Sequence, residues 1–121
     1  MSRASLSAKL QIPKGKALRV VNPPEGFEMN VPEGRPGDPV LVFAKDSKEL
    51  MELGRPAFEA AKEDTLSWIA YPKAGKLGTD LNRDDIWKRL EKMGIRPVRM
   101  VSVDETWAAM RFRPGKVPQG G

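Results

Sequence analysis

The chain contains neither cysteine nor histidine among its 121 residues. The lack of cysteine excludes disulfide bonds, thiolate nucleophiles and zinc or iron–sulfur sites built on cysteine. The lack of histidine removes the most common general base and the most common metal ligand. Any chemistry would have to come from Asp, Glu, Lys, Tyr, Ser or Thr. We therefore predict no catalytic residue, no metal site and no bound cofactor.

Long hydrophobic runs are also missing. The longest apolar stretches have about five to seven residues, whereas a membrane-spanning helix needs roughly 20. Residues 1–10 contain no hydrophobic core of the kind found in signal peptides. These features predict a soluble, cytoplasmic protein that has no contact with a membrane.

What the chain does contain is typical of one globular domain. Apolar residues make up 40% of it and charged residues 31%, and its length is common for a single domain. We predict one domain over 1–121, with a loose lead-in over 1–12 and a loose tail over 115–121. Residues 22–39 hold five prolines and three glycines, which predicts a long irregular connection.

Two apolar segments predict buried strands. Residues 40–44 are apolar at every position, and residues 66–71 are nearly so. A strand with one face in water would alternate apolar and polar residues, so a continuous run indicates burial on both faces, as in a parallel sheet covered by helices. Further strands are predicted at 17–21, 98–103 and 108–112.

Two helices are predicted between the strands. The first begins at Asp46, which forms a capping-box-like pair with Glu49, and Gly54 and Pro56 are expected to weaken or kink its middle. The second begins at a cap, Asn82, and ends at Gly94. Its buried side is predicted to comprise Ile86, Leu90 and Met93, with Trp87 alongside in the core or at its rim.

The order of these elements predicts an α/β fold. Strands separated by helices of ten or more residues imply right-handed parallel crossovers. Only residues 104–107 separate the last two strands. This connection is too short for a parallel crossover, so the final strand is expected to run antiparallel to its neighbours.

Several segments carry a resemblance to a known family. Residues 10–15 (LQIPKG) followed by 17–21 (ALRVV) resemble the opening of a class I methyltransferase core, which uses S-adenosylmethionine. Residues 68–73 (WIAYPK), 79–84 (TDLNRD) and 107–114 (WAAMRFRP) are similar to a small bacterial family of unknown function, itself a reduced form of that fold.

The resemblance implies a three-layer, reduced Rossmann-like architecture. Its sheet would be mainly parallel, with five strands in the order 1-2-3-5-4 and an antiparallel last strand. Residues 22–39 would replace deleted crossovers and shield the edge of the first strand. The turn that grips the cofactor in such methyltransferases is glycine-rich, whereas Pro23 and Pro24 occupy it here and remove two N–H donors. The cofactor site is therefore expected to be lost.

The loop after the strand at 66–71 is the best candidate for a ligand site. It leaves the carboxyl end of a central strand, where open α/β sheets bind ligands, and leads into a helix N-terminus that favours anions. The candidate ligand-binding residues are Lys73, Gly75, Lys76, Gly78, Thr79 and Arg83. The alternative is a basic connection in which Asp80 and Asn82 only cap a helix.

The net charge of +5 favours anionic partners. Residues 71–99 contain eight Lys or Arg and four Asp or Glu, a local excess of four positive charges. Arg111 and Arg113 could extend a basic surface, although a solvated surface rich in lysine explains the same charges. Asp84 and Asp85 are explained by the positive end of a helix dipole rather than by acid–base chemistry.

Three hypotheses for function follow. The leading one is a non-enzymatic binding or interaction domain on a methyltransferase-like scaffold, with an anionic ligand or a protein as its partner. The second is a binder of nucleic acid or of a phosphorylated metabolite through the basic loop at 72–83. The third is a residual methyltransferase that still uses S-adenosylmethionine. The first strand, if exposed, would allow a weak homodimer as well as a monomer.

Overall fold

The structure is a computed structural model that describes residues 6–13, 15–28, 31–73 and 75–115. This part of the chain forms a five-stranded sheet with strands β1 (Arg19–Val21), β2 (Val40–Phe43), β3 (Ser67–Pro72), β4 (Ile95–Ser102) and β5 (Trp107–Pro114). Its helices are α1 (Leu6–Lys9), α2 (Ser47–Leu53), α3 (Arg55–Lys62) and α4 (Arg83–Glu91), with a 3-10 turn at Lys76–Gly78. None of these helices has the length and apolarity needed to cross a membrane.

The strand order is β1-β2-β3-β5-β4, as predicted, and β5 is antiparallel to both of its neighbours. The prediction of a mainly parallel sheet is wrong. Only the pairs β1–β2 and β2–β3 are parallel, so two of the four pairings in this sheet are antiparallel. The reason is the short β4–β5 turn, which reverses β5 and inserts it between β3 and β4.

Buried side chains lie on both faces of the sheet. The first group, called the helix-side core, comprises Val40, Val42, Ala44, Leu50, Ala57, Phe58, Ala61, Ile69, Tyr71, Leu81, Ile86, Leu90, Ile95, Ala108, Met110 and Phe112. The second, called the opposite core, comprises Leu10, Ile12, Leu18, Leu41, Phe43, Trp68, Ala70, Trp107 and Ala109. Successive residues of β2 alternate between the two cores, so this strand is buried on both faces, as its uninterrupted apolar run predicted.

The opposite core depends on segments outside the sheet. Leu10 and Ile12, from the predicted lead-in, are buried there, and the indole N–H of Trp68 donates a hydrogen bond of 2.8 Å to the carbonyl of Leu10. Phe27 and Val31, from the connection at 22–39, pack against the same group. The residues after 115, where the tail was predicted, lie outside the described part of the chain.

The connection at 22–39 also pairs with Leu18, the residue that directly precedes β1. The Leu18 N–H donates to the carbonyl of Pro32, and the Gly34 N–H donates to the carbonyl of Leu18. A Cβ atom at Gly34 would lie 2.6 Å from the Arg19 nitrogen, so only glycine allows this approach of the two backbones. The predicted shielding is seen at Leu18, the residue before β1, whose N–H and carbonyl groups are occupied by this connection. A homodimer through β1 itself stays a prediction.

The first predicted helix is two helices. Asp46 caps α2 by accepting a hydrogen bond of 2.8 Å from the Glu49 N–H, as predicted. Gly54 then separates α2 from α3, and Pro56 lies in the first turn of α3, where its missing N–H costs no hydrogen bond. A Cβ atom at Gly54 would lie 2.4 Å from the Leu50 carbonyl oxygen, so the two helices meet closely only because this residue is glycine.

The predicted cap of α4 and two of the three residues predicted on its buried side are confirmed. The third, Met93, follows the end of the helix and is partly buried. The side chain of Asn82 accepts a hydrogen bond of 2.8 Å from the Asp85 N–H, and Ile86 and Leu90 are fully buried. Trp87 was expected in the core or at its rim, but 46% of it is exposed. The expectation of a core residue is wrong because Trp87 follows Ile86 directly, and successive helical residues point about 100° apart.

Candidate functional site

A cavity of about 490 Å³ opens on the helix side of the sheet. Its floor is a row of three paired residues, because Ala108 of β5 pairs with Tyr71 of β3 and with Ser102 of β4. The small side chain of Ala108, between the two larger ones, leaves space above the sheet. Met100 and Val101 of β4 also line the cavity.

The start of α4 forms another wall of the cavity, where Asn82, Arg83 and Asp84 line it. The free N–H groups of a helix N-terminus and its dipole favour negative charge. β3 and β4 run in the same direction, since both are antiparallel to β5. Their carboxyl ends therefore lie at the same edge of the sheet, and the cavity lies at that edge. Open α/β sheets commonly bind ligands there.

Arg83 is the most accessible cation of the cavity. About 63% of its side chain is exposed, and it lies 3.9 Å from a carboxylate oxygen of Asp84. An exposed ion pair at this distance contributes little, because water and salt screen it. The guanidinium can therefore turn toward an anion in the cavity at small cost.

Tyr71 supplies a buried hydroxyl, with only 6% of the residue exposed. The hydroxyl lies 3.0 Å from the sulfur of Met100 and donates to it, although a thioether is a weak acceptor. Burial raises the pKa of Tyr71, and the positive charge of Arg83 acts in the opposite direction. The hydroxyl therefore carries its proton at neutral pH and can donate to a better acceptor, such as a ligand oxygen.

Lys73 connects the cavity to the β4–β5 turn. Its ammonium group donates to the hydroxyl of Ser102 at 2.6 Å and to the carbonyl of Asp104 at 2.5 Å, and its backbone N–H donates to the carbonyl of Thr106. An ammonium group has three donors, so one remains for a ligand. Lys73 thus holds the turn in place and also brings a positive charge to the cavity.

Two of the six predicted ligand-binding residues, Lys73 and Arg83, line the cavity. The other four lie in the loop beside it. Gly75 and Gly78 have φ angles of 77° and 67°, which glycine adopts without strain, and they shape the 3-10 turn. The Lys76 ammonium donates to the carbonyl of Glu105, and the Thr79 hydroxyl accepts from the Leu81 N–H.

Asp80 does not cap the helix that follows it. Its carboxylate accepts two hydrogen bonds from Ser47, one of 2.8 Å from the N–H and one of 2.5 Å from the hydroxyl. These bonds lower the pKa of Asp80 below its ordinary value. Asp80 therefore attaches the candidate loop to the first turn of α2, while Asn82 alone of the two caps α4.

Arg113, at the end of β5, lies far from the cavity. In the β3–β5 register, Trp107 pairs with Pro72 and Phe112 pairs with Ser67, so Arg113 lies at the opposite end of β3 from Lys73. Six residues of strand separate the two ends, roughly 20 Å. Arg113 forms a double hydrogen bond with Asp64, which lowers the pKa of that carboxyl group.

The turn after β1 is occupied by contacts within the chain. Asn22 has a φ angle of 56°, and its side-chain amide donates to the carbonyl of Phe43 and to the carboxylate of Glu49. Pro23 and Pro24 follow it without N–H groups. Asn22 thus links β1, β2 and α2 through its side chain.

The cavity residues of β4 and β5 were missed for a topological reason. Met100, Val101, Ser102 and Ala108 reach the cavity through the pairing of β5 with β3 and with β4, and no local motif predicts that pairing. The predicted strand order with an antiparallel β5 was the available signal, because it places the carboxyl ends of β3 and β4 at the same edge of the sheet. In the described part of the chain, no group of three or more Asp or Glu side chains is arranged to hold a metal ion.

Comparison of the chain with protein-family models, with curated proteins and with solved structures finds no match. The comparisons therefore leave the resemblance to methyltransferases as a proposal.

Proposed function

We propose that this chain is a non-enzymatic binding domain whose ligand is a small phosphorylated metabolite held in the cavity above Ala108. One observation carries the proposal: Lys73, Arg83 and the Tyr71 hydroxyl all line this cavity beside the N-terminus of α4. Two cations, a buried donor and a helix N-terminus together match the charge and the acceptor oxygens of a phosphate.

The dimensions and walls of the cavity support a ligand larger than phosphate itself. Its volume of about 490 Å³ falls within the range of roughly 300–1,000 Å³ that is usual for small-molecule sites. Met100 and Ala108 offer an apolar surface opposite the charged groups. We therefore expect a ligand with one phosphate and one apolar or aromatic part.

The placement of the cations favours a small ligand over nucleic acid. A backbone-binding surface needs several cations along one path. Arg113 is engaged by Asp64 at the far end of β3, and Arg111 donates to the side chain of Gln11. Near the candidate loop, Arg89 is paired with Asp85, and Lys73 and Lys76 already donate to carbonyls of the β4–β5 turn.

Isothermal titration calorimetry with phenyl phosphate, inorganic phosphate and phenol tests the proposal. Phenyl phosphate is expected to bind most tightly, because it alone has both a phosphate for the charged groups and a ring for the apolar surface. Arg83→Gln should weaken it by about tenfold or more, the usual effect of losing a charged hydrogen bond. Ala108→Val should also weaken it, since the added methyl groups fill the floor of the cavity without changing its charge.

Arg55→Gln is the matched control, because Arg55 is an exposed arginine outside the cavity, paired with Glu59. It should leave the affinity unchanged. Arg83→Gln is a cleaner test than a Lys73 variant, which would also release the β4–β5 turn. The proposal fails if phenyl phosphate gives no heat at millimolar concentration, or if Arg83→Gln and Ala108→Val both bind it as the unaltered chain does.

The scaffold itself is proposed to be a reduced, three-layer Rossmann-like domain of methyltransferase type, from a bacterial cytoplasmic protein, that has lost its cofactor site. The contacts of Asn22 with Phe43 and Glu49 support this loss, since they fill the turn with the chain's own groups. We expect no heat of binding when S-adenosylmethionine or its demethylated product is titrated into the protein. A micromolar dissociation constant for either would favour the residual methyltransferase instead.

A further inference from the structure

A second cavity lies on the other side of the β4–β5 turn from the phosphate cavity. It has a volume of about 350 Å³ and is bounded by the turn after β1 and by the β4–β5 turn. Phe27 and Trp107 provide aromatic surface, and Phe43 packs edge-on against both rings, with ring centroids 4.7 and 5.1 Å apart. These contacts hold the aromatic wall in a fixed position.

Three carboxylates line this second cavity: Glu25, Glu28 and Asp104. None of them forms an ion pair within the described part of the chain. One oxygen of Asp104 accepts hydrogen bonds from the N–H groups of Thr106 and Trp107, which fixes that carboxylate at the rim. The cavity thus carries three carboxylates, whereas the cations nearest to the turn, Lys73 and Lys76, bind its backbone carbonyls.

Trp107 gives an independent indication of a ligand. Only 7% of this residue is exposed, and its indole N–H donates no hydrogen bond within the described part of the chain. The indole nitrogen is not among the polar atoms sealed from solvent, and Trp107 lines the cavity, so this N–H is open to an acceptor that enters from solvent. A bound molecule with a carbonyl group would accept a hydrogen bond from this N–H.

We propose that the second cavity binds a basic segment of a partner protein. The side chain of an arginine or lysine would lie between Glu25, Glu28 and Asp104, and a backbone carbonyl of the same segment would accept from the Trp107 indole. The cation of this segment matches the acidic rim, and its carbonyl matches the indole donor. The apolar part of the side chain between them matches the aromatic wall. This proposal does not depend on the phosphate cavity.

Nuclear magnetic resonance tests it through the indole N–H signals of the three tryptophans. N-acetylarginine N-methylamide carries both the cation and the carbonyls, and N-acetylcitrulline N-methylamide is its neutral analogue of the same shape. The arginine compound should shift the Trp107 indole signal in a saturable manner and leave the Trp68 and Trp87 signals in place. The citrulline compound should produce no such shift at equal concentration.

Titrations with two further compounds distinguish a partner segment from a small metabolite as the source of the cation. Butylguanidinium lacks a carbonyl and free arginine carries a carboxylate that the cavity repels, so both should bind more weakly than the blocked arginine. A result in which free arginine binds best would replace the partner segment with a metabolite. The double substitution Glu25→Gln and Glu28→Gln should weaken the blocked arginine by about tenfold, because two screened charges are lost.

Glu91→Gln is the control for charge, since Glu91 is an exposed residue of α4 outside this cavity, and it should leave the titration unchanged. If the Trp107 signal does not move with the arginine compound, or moves equally with the citrulline compound, the proposal is wrong. Either result leaves phenyl phosphate binding and its Arg83 dependence untouched, so the two proposals fail separately.

Discussion

The three tryptophans of the chain differ in how deeply they are buried. Trp68 is fully buried in the opposite core, and its indole N–H is paired with the carbonyl of Leu10. Trp107 is almost as deeply buried, but its indole N–H has no acceptor among the residues that the structure describes. Trp87, on α4, is 46% exposed. The same residue type therefore serves packing at one position, a ligand surface at the second and a partly wetted helix surface at the third.

This difference predicts the cost of removing each ring. Trp68→Ala should lower the free energy of unfolding by about 3–5 kcal/mol, because it opens a cavity in the core and also removes the hydrogen bond to Leu10. Trp87→Ala should cost at most about 1 kcal/mol, near the range for surface substitutions. Urea denaturation of both variants measures the two values, and similar costs would contradict the assigned burial.

The position of Trp87 shows a limit of helical periodicity. The spacing of Ile86 and Leu90 correctly identified the buried side of α4. A residue directly after Ile86 points about 100° away from it, which places it at the boundary between core and solvent. Which side of that boundary it takes depends on what packs beside the helix, and the sequence of α4 does not contain that information.

At the scale of elements, Asp80 joins the candidate loop to α2. Ser47 donates its N–H and its hydroxyl to the Asp80 carboxylate, and Asp46 caps the same helix from the preceding position. Two acidic side chains therefore satisfy the first turn of α2 and lie at the positive end of its dipole. One of them is 33 residues distant in sequence, so this contact holds the loop beside the sheet.

The lowered pKa of Asp80 predicts a pH-dependent contribution to stability. Its main cause is the hydrogen bond from the Ser47 hydroxyl. Because the folded-state pKa lies below the ordinary value of 3.8, the contribution is fully present above that ordinary value. It is lost as the pH falls through the lowered pKa. Asp80→Asn should therefore lower the Tm at pH 7, and its difference from the unaltered chain should shrink in acid.

Thermal unfolding at neutral and strongly acidic pH measures this difference. Glu52→Gln, an exposed change on the same helix, controls for the loss of one negative charge and should show no such convergence. A difference for Asp80→Asn that stays constant, or that grows as the pH falls, would mean that the Ser47 contact does not stabilise the fold through the ionised carboxylate.

Local signals predicted some elements and not others. The caps of α2 and α4 follow from Asp46 and Asn82, whose short side chains suit the first turn of a helix, and the burial of β2 follows from its apolar run. The break at Gly54 was underestimated as a kink, although Gly54 followed by Pro56 marked its place in the sequence. The row of Tyr71, Ala108 and Ser102 that forms the cavity floor arises from tertiary pairing.

At the scale of the whole molecule, the sheet separates two cores that share every central strand. Ile86 belongs to the helix-side core and Ile12 to the opposite core. Their side chains lie on different faces of the sheet and belong to separate groups of buried contacts. Any coupling between them must pass through the backbone of the sheet, which both cores hold in place.

This arrangement predicts that Ile12→Val and Ile86→Val have additive effects on stability. Each should cost about 0.5–1.5 kcal/mol, the usual loss for one buried methyl group. The double variant should lose the sum within about 0.5 kcal/mol, because distant sites without shared partners are nearly independent.

Since a sheet that serves both cores cannot lose one of them and remain folded, every variant should still unfold in a single transition. Denaturation followed by tryptophan fluorescence and by circular dichroism checks both points. Two separate transitions, or a larger departure from additivity, would mean that the faces do not share the sheet in this way.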